Sequence, residues 1–182
     1  MIVPAATRPA DPQQDLPRLA LVLGGARSGK SRYAEALIGT RPALYLATGE
    51  AGDAEMSERI RQHRERRGTN WTTREAPLAL VEALRAADRP VLVDCLTLWL
   101  SNLLTADRDV EAETRLLVEA LPPLRLPVIF VSNEVGLGIV PDNKLARDFR
   151  DHAGLLHQAI AAIATRVVFV AAGLPLTLKD IK

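Results

Sequence analysis

The sequence predicts an α/β fold, a mainly parallel sheet flanked by helices on both faces. Three observations predict it. Short continuous apolar runs recur at 19–23, 43–47, 91–93, 128–132 and 167–171, the mark of strands buried on both sides. Helical patterns alternate with these runs, as in a layered α/β domain. A glycine-containing loop follows the first run and opens into a helical segment.

The elements follow in order. Residues 1–18 contain Pro4, Pro9, Pro12 and Pro17 and no apolar period; they read as a flexible extension before a single domain over 19–182. The first strand is Leu19-Ala20-Leu21-Val22-Leu23. A helix over Ser31 to Ile38 stops near Gly39 and Pro42. Ala43 to Ala47 is the second strand. Asp53 suits the N-cap of a helix reaching Arg67, and Trp71 to Glu75 reads as a strand. Pro77 fits the first turn of the next helix. After the strand at Val91 to Asp94, helices are expected over 96–104 and 110–121. Pro122, Pro123 and Pro127 separate them from the strand at Val128 to Ser132. A long helix over 143–164, a strand over 167–171 and a short strand over 176–178 complete the domain. Apolar periodicity leaves the strand order open.

Composition narrows the function classes. Lysine and arginine total 23 against 22 acids, so no global charge points to a nucleic-acid partner. Cys95 is the one cysteine, so no intrachain disulfide forms. No signal peptide is evident at the start. The most apolar stretch, 91–104, is short and carries Asp94, Ser101 and Asn102; no membrane span is expected, and a cytoplasmic protein is.

Gly24-Gly25-Ala26-Arg27-Ser28-Gly29-Lys30-Ser31 matches G-x-x-x-x-G-K-[ST], with a buried strand before it and a helix after it. The predicted fold is therefore P-loop NTPase-like. Glycines let the backbone curl so that its N–H groups face phosphate oxygens, and the helix N-terminus adds positive dipole. Lys30 reaches the outer phosphates and the Ser31 hydroxyl is suited to Mg²⁺. Arg27 is either a solvated side chain or a further phosphate clamp.

Asp94 ends the third strong strand. It has two compatible readings: a metal-holding acid facing the P-loop, or the N-cap of the following helix. Cys95 reads as a small buried apolar group. On the predicted 53–67 helix, Arg59, His63, Arg66 and Arg67 share one face. That face is either a solvated charged surface or a phosphate-binding patch around a histidine nucleophile. The residues alone do not choose.

The glycine loop has companions in a definite order: Tyr45-Leu46-Ala47-Thr48, Arg59-Ile60-x-x-His63-Arg64, Trp71 to Glu75, Val93-Asp94-Cys95-Leu96-Thr97 with Asn102-Leu103-Leu104, Ser132-Asn133-Glu134-Val135-Gly136-x-Gly138-Ile139-Val140-Pro141, and Leu145-Ala146-Arg147-x-Phe149-Arg150-Asp151-x-Ala153-Gly154. Together they resemble the bifunctional adenosylcobinamide kinase/adenosylcobinamide-phosphate guanylyltransferase family of cobalamin assembly, over about residues 19 to 179. Two parts depart from the family pattern: the N-terminal extension and the segment 105–127.

The resemblance implies two reactions on one scaffold. ATP or GTP phosphorylates adenosylcobinamide. GMP then passes from GTP to a histidine, matching His63, and on to the cobinamide phosphate, giving adenosyl-GDP-cobinamide. It implies Mg²⁺ as cofactor, held by Ser31 and Asp94, and a homo-oligomer, a trimer in the family. Lys30, Asp94, His63 and Glu134 become the catalytic candidates; Glu134 would assist hydroxyl deprotonation or metal binding. Thr48, Gly49 and Glu50 border the nucleotide. Arg64, Glu65, Arg66 and Arg67 would line GTP, and Glu75 is either a nucleotide contact or a surface acid. Asn133 could satisfy its own turn. His152 and His157 read as ordinary helix positions.

Two other classes compete. A plain P-loop small-molecule kinase would carry His63 as a surface residue. A nucleotide-operated switch would need D-x-x-G and N-K-x-D; Asp94 is followed by Cys95-Leu96-Thr97, and Asn143-Lys144 by Leu145-Ala146, so neither is present.

Overall fold

A computed structural model describes residues 16–49 and 68–181. The predicted helix over 53–67 lies outside them, as does most of the N-terminal extension. The elements are β1 (Leu19–Gly24), α1 (Lys30–Ile38), β2 (Ala43–Ala47), β3 (Trp71–Glu75), α2 (Leu80–Arg85), β4 (Val91–Asp94), α3 (Leu96–Thr105), α4 (Val110–Ala120), β5 (Val128–Asn133), α5 (Lys144–Ile163), β6 (Arg166–Ala171) and β7 (Leu174–Asp180). Their strand order is β3-β2-β4-β5-β1-β6-β7. Every pairing is parallel except β6 with β7.

The apolar runs are buried because two layers cover the sheet. One face packs Leu21, Val93, Phe130 and Val167 against α2, α3, α4 and α5. The other packs Val22, Tyr45, Leu92, Val131 and Val168 against Ala34, Leu37 and Ile38 of α1. Trp99 is fully buried on the thicker side, where its indole N–H donates to the Leu78 carbonyl at 3.1 Å. That bond satisfies the polar edge of a large core ring.

Caps settle two helix starts. The Asp109 carboxylate accepts from the Ala112 N–H at 3.0 Å, and the Asn143 side chain from the Ala146 N–H at 2.8 Å. Each satisfies an orphan donor of the first turn. Pro77 behaves differently from the sequence expectation. The helix begins three residues later, at Leu80, and the Pro77 carbonyl instead accepts from Asn102 Nδ2 at 3.0 Å. The last strand is also longer than its apolar core suggested, running from Leu174 to Asp180. Antiparallel pairing with β6 carries it, including an Arg166–Asp180 ion pair at 3.1 Å.

The end of the extension joins the fold. Leu16 packs against the α1 side of the core. The Arg18 guanidinium donates to the Pro122 carbonyl, and the Arg18 carbonyl accepts from the Val128 N–H at 3.0 Å.

The strand order creates one switch point. From β1 the chain crosses through α1 to β2, on one side of the sheet; from β5 it crosses through α5 to β6, on the other. β1 and β5 are neighbours, so their C-terminal ends open a crevice between diverging connections, the usual ligand position in such sheets.

Gly24 ends β1 where no side chain fits. A Cβ there would lie 2.4 Å from the Val170 carbonyl oxygen and 2.6 Å from Ser28 Oγ. The Val170 carbonyl belongs to β6 and cannot step aside. Gly24→Ala is therefore expected to destabilise the chain by about 1–3 kcal/mol, read as a lower urea midpoint at unchanged slope.

Candidate active site at the crevice

The phosphate loop spans Gly24 to Ser31 and hangs from β1. Arg27 at its tip is exposed and has φ 55°, and Gly29 before α1 has φ 95°. Both lie in the left-handed region, which glycine enters freely; at Gly29 a Cβ would also crowd the Gly173 Cα at 3.3 Å. The loop is buttressed from two sides. The Glu134 N–H donates to the Gly24 carbonyl at 3.0 Å, and the Gly173 N–H to the Ser28 carbonyl at 2.8 Å. Lys30 is buried, with Nζ donating to the Gly25 carbonyl at 3.1 Å. Its charge is thus held against the loop rather than released to solvent. Gly25 and Ser31 are half-buried, and Ala26 is exposed.

Ser28 Oγ is buried without a hydrogen-bond partner. An unmet buried hydroxyl costs about 1–3 kcal/mol. A phosphate oxygen seated in the loop would accept its proton, so this atom fits a loop built for an occupant.

Asp94 stands at the end of β4 and is half-buried. Alternation along the strand puts it on the α1 face, with Leu92. Tyr45, on the same face in β2, donates its hydroxyl to Asp94 Oδ2. Asp94 and Ser31, at the start of α1, thus share one side of the sheet. A hydroxyl and a carboxylate are hard oxygen donors, and Mg²⁺ takes one or two carboxylates beside substrate phosphates. The donor set therefore fits Mg²⁺. Among the described residues, no cluster of three or more His, Cys, Asp or Glu forms a closed metal cage.

A polar splice ties β2, β4 and β5 together at this edge. The Thr48 N–H donates to the Asp94 carbonyl at 3.1 Å. Thr48 Oγ1 donates to the Cys95 carbonyl and accepts from the Cys95 N–H, both at 2.7 Å. Asn102 Nδ2 donates to the Thr48 carbonyl at 2.7 Å, and Asn133 Nδ2 to Thr97 Oγ1 at 2.9 Å. Thr48 is thereby fully buried, with its hydroxyl engaged inside the protein; what it contributes to the edge is the placement of Gly49 and Asp94. Cys95 is buried as expected, and burial raises its thiol pKa, with the charge of Asp94 adding to the shift. Asn133 reaches Thr97 rather than closing its own turn.

The fold brings the phosphate loop, Asp94 and Glu134 to one crevice. It sets Glu75 apart: β3 lies four strands from β1, roughly 19 Å at the usual strand spacing, and Glu75 is exposed. Glu50, His63, Arg64, Glu65, Arg66 and Arg67 lie outside the described residues.

His157 is not the ordinary helix position that the sequence suggested. It is buried, and its Nε2 shares a hydrogen bond of 2.7 Å with Ser132 Oγ of β5. Its neighbours in α5, Ala153, Leu156 and Ile160, are the buried stripe of that helix. Position 157 falls on the same stripe, and that spacing was the available signal.

The family model described as cobinamide kinase / cobinamide phosphate guanyltransferase matches residues 20–178. The chain belongs to that family. The bifunctional adenosylcobalamin biosynthesis protein CobP of Pseudomonas aeruginosa is 52% identical over 166 residues, covering 87% of this chain and 96% of the relative. CobU of Salmonella typhimurium, which carries the same description, is 42% identical over 178 residues, covering 87% and 98%. Among solved structures, the flagellar accessory protein FlaH of Methanocaldococcus jannaschii superposes with a TM-score of 0.51 at 11% identity, over 91% of this chain and 80% of that one. A type III secretion ATPase gives 0.50 at 12% identity, over 88% and 56%. Those two likenesses bear on the fold alone. They support the P-loop NTPase-like architecture, whereas the family match covers the cobinamide enzyme itself.

Burial holds the His157 pKa below the ordinary imidazole value, with the charge of Glu134 pulling the other way. The unfolded imidazole takes up a proton near pH 6.5. Below that pH the unfolded chain binds more protons than the folded one, so the stability present at higher pH is lost on acidification. His157→Gln is expected to flatten the fall in melting temperature between about pH 7 and about pH 5, measured by calorimetry against the unsubstituted chain.

Proposed function

We propose that this chain phosphorylates the free hydroxyl of adenosylcobinamide and then transfers GMP from GTP to the resulting phosphate, giving adenosyl-GDP-cobinamide. The observation that carries the reading is the pairing of the family match over 20–178 with a phosphate loop bonded to the backbone of Glu134.

In the phosphorylation step, the loop N–H groups and Lys30 hold the triphosphate of ATP or GTP. The α1 N-terminus favours the charge that gathers on the transferred group. Mg²⁺, held by Ser31 and Asp94, would offset phosphate charge when bound. Tyr45 orients the Asp94 carboxylate toward that role. Glu134 takes the proton of the acceptor hydroxyl as the new P–O bond forms, and the nucleoside diphosphate departs.

In the guanylyl step, a ring nitrogen of His63 attacks the α-phosphorus of GTP. The bond to the β-phosphate breaks and pyrophosphate leaves. Arg64, Arg66 and Arg67 surround the transferring phosphate with positive charge and keep the imidazole neutral beforehand. The cobinamide phosphate then attacks the same phosphorus, and the P–N bond breaks. Protonation of the ring nitrogen makes it the better leaving group. Splitting the transfer lets a weak phosphate nucleophile meet an activated centre. Gly49, Glu50 and Glu65 take supporting places around the nucleotide. The working form is a homo-oligomer, a trimer as in the family resemblance, acting in the cytoplasm. Among the described residues no helix is long and apolar enough to cross a membrane.

The deciding measurement incubates the chain with Mg²⁺ and GTP labelled at either the α- or the γ-phosphate. The expected outcome is acid-labile, base-stable protein label from the α form alone, absent in His63→Ala. His63→Ala should keep detectable cobinamide phosphorylation. No α-label with GTP bound would leave a plain kinase as the better reading. Lys30→Ala should slow both steps on the order of a hundredfold or more, since one loop serves both triphosphates.

A further inference from the structure

The segment between Glu134 and α5 carries large apolar side chains that the fold leaves in water. Val135 turns inward and packs on the core. Beyond it Leu137 is 81% exposed, Ile139 97% and Val140 60%, and Leu145 at the start of α5 is 67% exposed. Single exposed apolar residues are ordinary. Four within the short segment 137–145 are a concentration of exposed apolar side chains that suits a binding surface.

The stretch is anchored at both ends. Glu134 Oε1 accepts from the Gly136 N–H. Arg147 donates from Nη1 to the Pro141 and Asp142 carbonyls at 2.9 and 2.7 Å, and Asn143 caps the helix that follows. The backbone is therefore fixed while its apolar side chains face outward. The patch also adjoins the chemistry, because the Glu134 N–H is bonded to the Gly24 carbonyl of the phosphate loop.

We propose that Leu137, Ile139, Val140 and Leu145 form the docking surface for the macrocycle of the cobinamide acceptor. The proposal rests on the function given above and names where its acceptor sits. A corrin ring is broad and flat, with apolar faces and a rim of amides. Its reactive hydroxyl hangs on a flexible arm. Stable positioning of that hydroxyl at the γ-phosphate needs a hold on the ring, and exposed apolar side chains on the segment that follows Glu134 supply one without enclosing it. Apolar burial provides the hold, and Glu134 stands between the ring surface and the phosphate loop.

The test measures adenosylcobinamide binding to the full chain by titration calorimetry, with GTP binding and sedimentation mass in parallel. Two apolar contacts are each worth about a factor of ten when fully lost, so Leu137→Ser with Ile139→Ser should weaken corrinoid binding at least about tenfold. GTP affinity should stay within about twofold, and the mass should not change. Ile139→Val, which keeps an apolar surface, should retain corrinoid affinity. Unchanged corrinoid affinity in the double variant overturns the proposal. So does a fall in mass, which would make the patch a contact between copies of the chain. Equal loss of GTP and corrinoid binding also overturns it, as a general loss of structure. If the unsubstituted chain binds GTP but no corrinoid, the functional reading itself fails, and this inference with it.

Discussion

Everything at the catalytic edge depends on how closely three strands approach at Gly24. Glu134, just past the end of β5, donates its backbone N–H to the Gly24 carbonyl, and the Val170 carbonyl of β6 occupies the space where a side chain would stand. A phosphate loop must present its N–H groups in a fixed curl without help from a ligand. Here that curl hangs from the end of a fully buried strand, and its other limb is held by the Gly173 N–H on the Ser28 carbonyl. The rigidity of the sheet is thus carried directly into the loop.

The same edge divides its labour between two kinds of polar group. Thr48, Asn102, Thr97 and Asn133 spend their hydrogen bonds on one another and on nearby backbone. They splice strand ends together and leave little to offer a ligand. Ser28, Lys30, Asp94 and Glu134 lie closer to the crevice. The first has no partner for its hydroxyl, and the second is held on a loop carbonyl. Internally satisfied groups hold the frame, while the Ser28 hydroxyl and the Lys30 ammonium suit a phosphate and the two carboxylates suit a cation or a proton.

Much of this was legible in the sequence. The strands showed themselves as apolar runs because a sheet covered on both faces needs apolar residues at every position. The phosphate loop showed itself because few residues can replace glycine at Gly24 and Gly29. Strand order was not legible, since identical apolar runs serve equally well at any central place. The roles of Asn102 and Thr48 were hidden because their partners lie 54 and 47 positions away along the chain. Pro77 misled because proline favours a helix start, whereas tertiary demand used its carbonyl elsewhere. His157 reads as a polar residue on a helix, although its spacing from Ala153 and Ile160 places it on the buried side.

The contact between Gly173 and Ser28 joins the two ends of the domain in sequence. The turn that closes against the phosphate loop belongs to the final hairpin, while the loop itself follows the first strand. A chain emerging from the ribosome therefore displays its nucleotide loop long before it has the hairpin that clamps it. The second buttress of the loop is thus acquired last, when the final hairpin has joined the sheet.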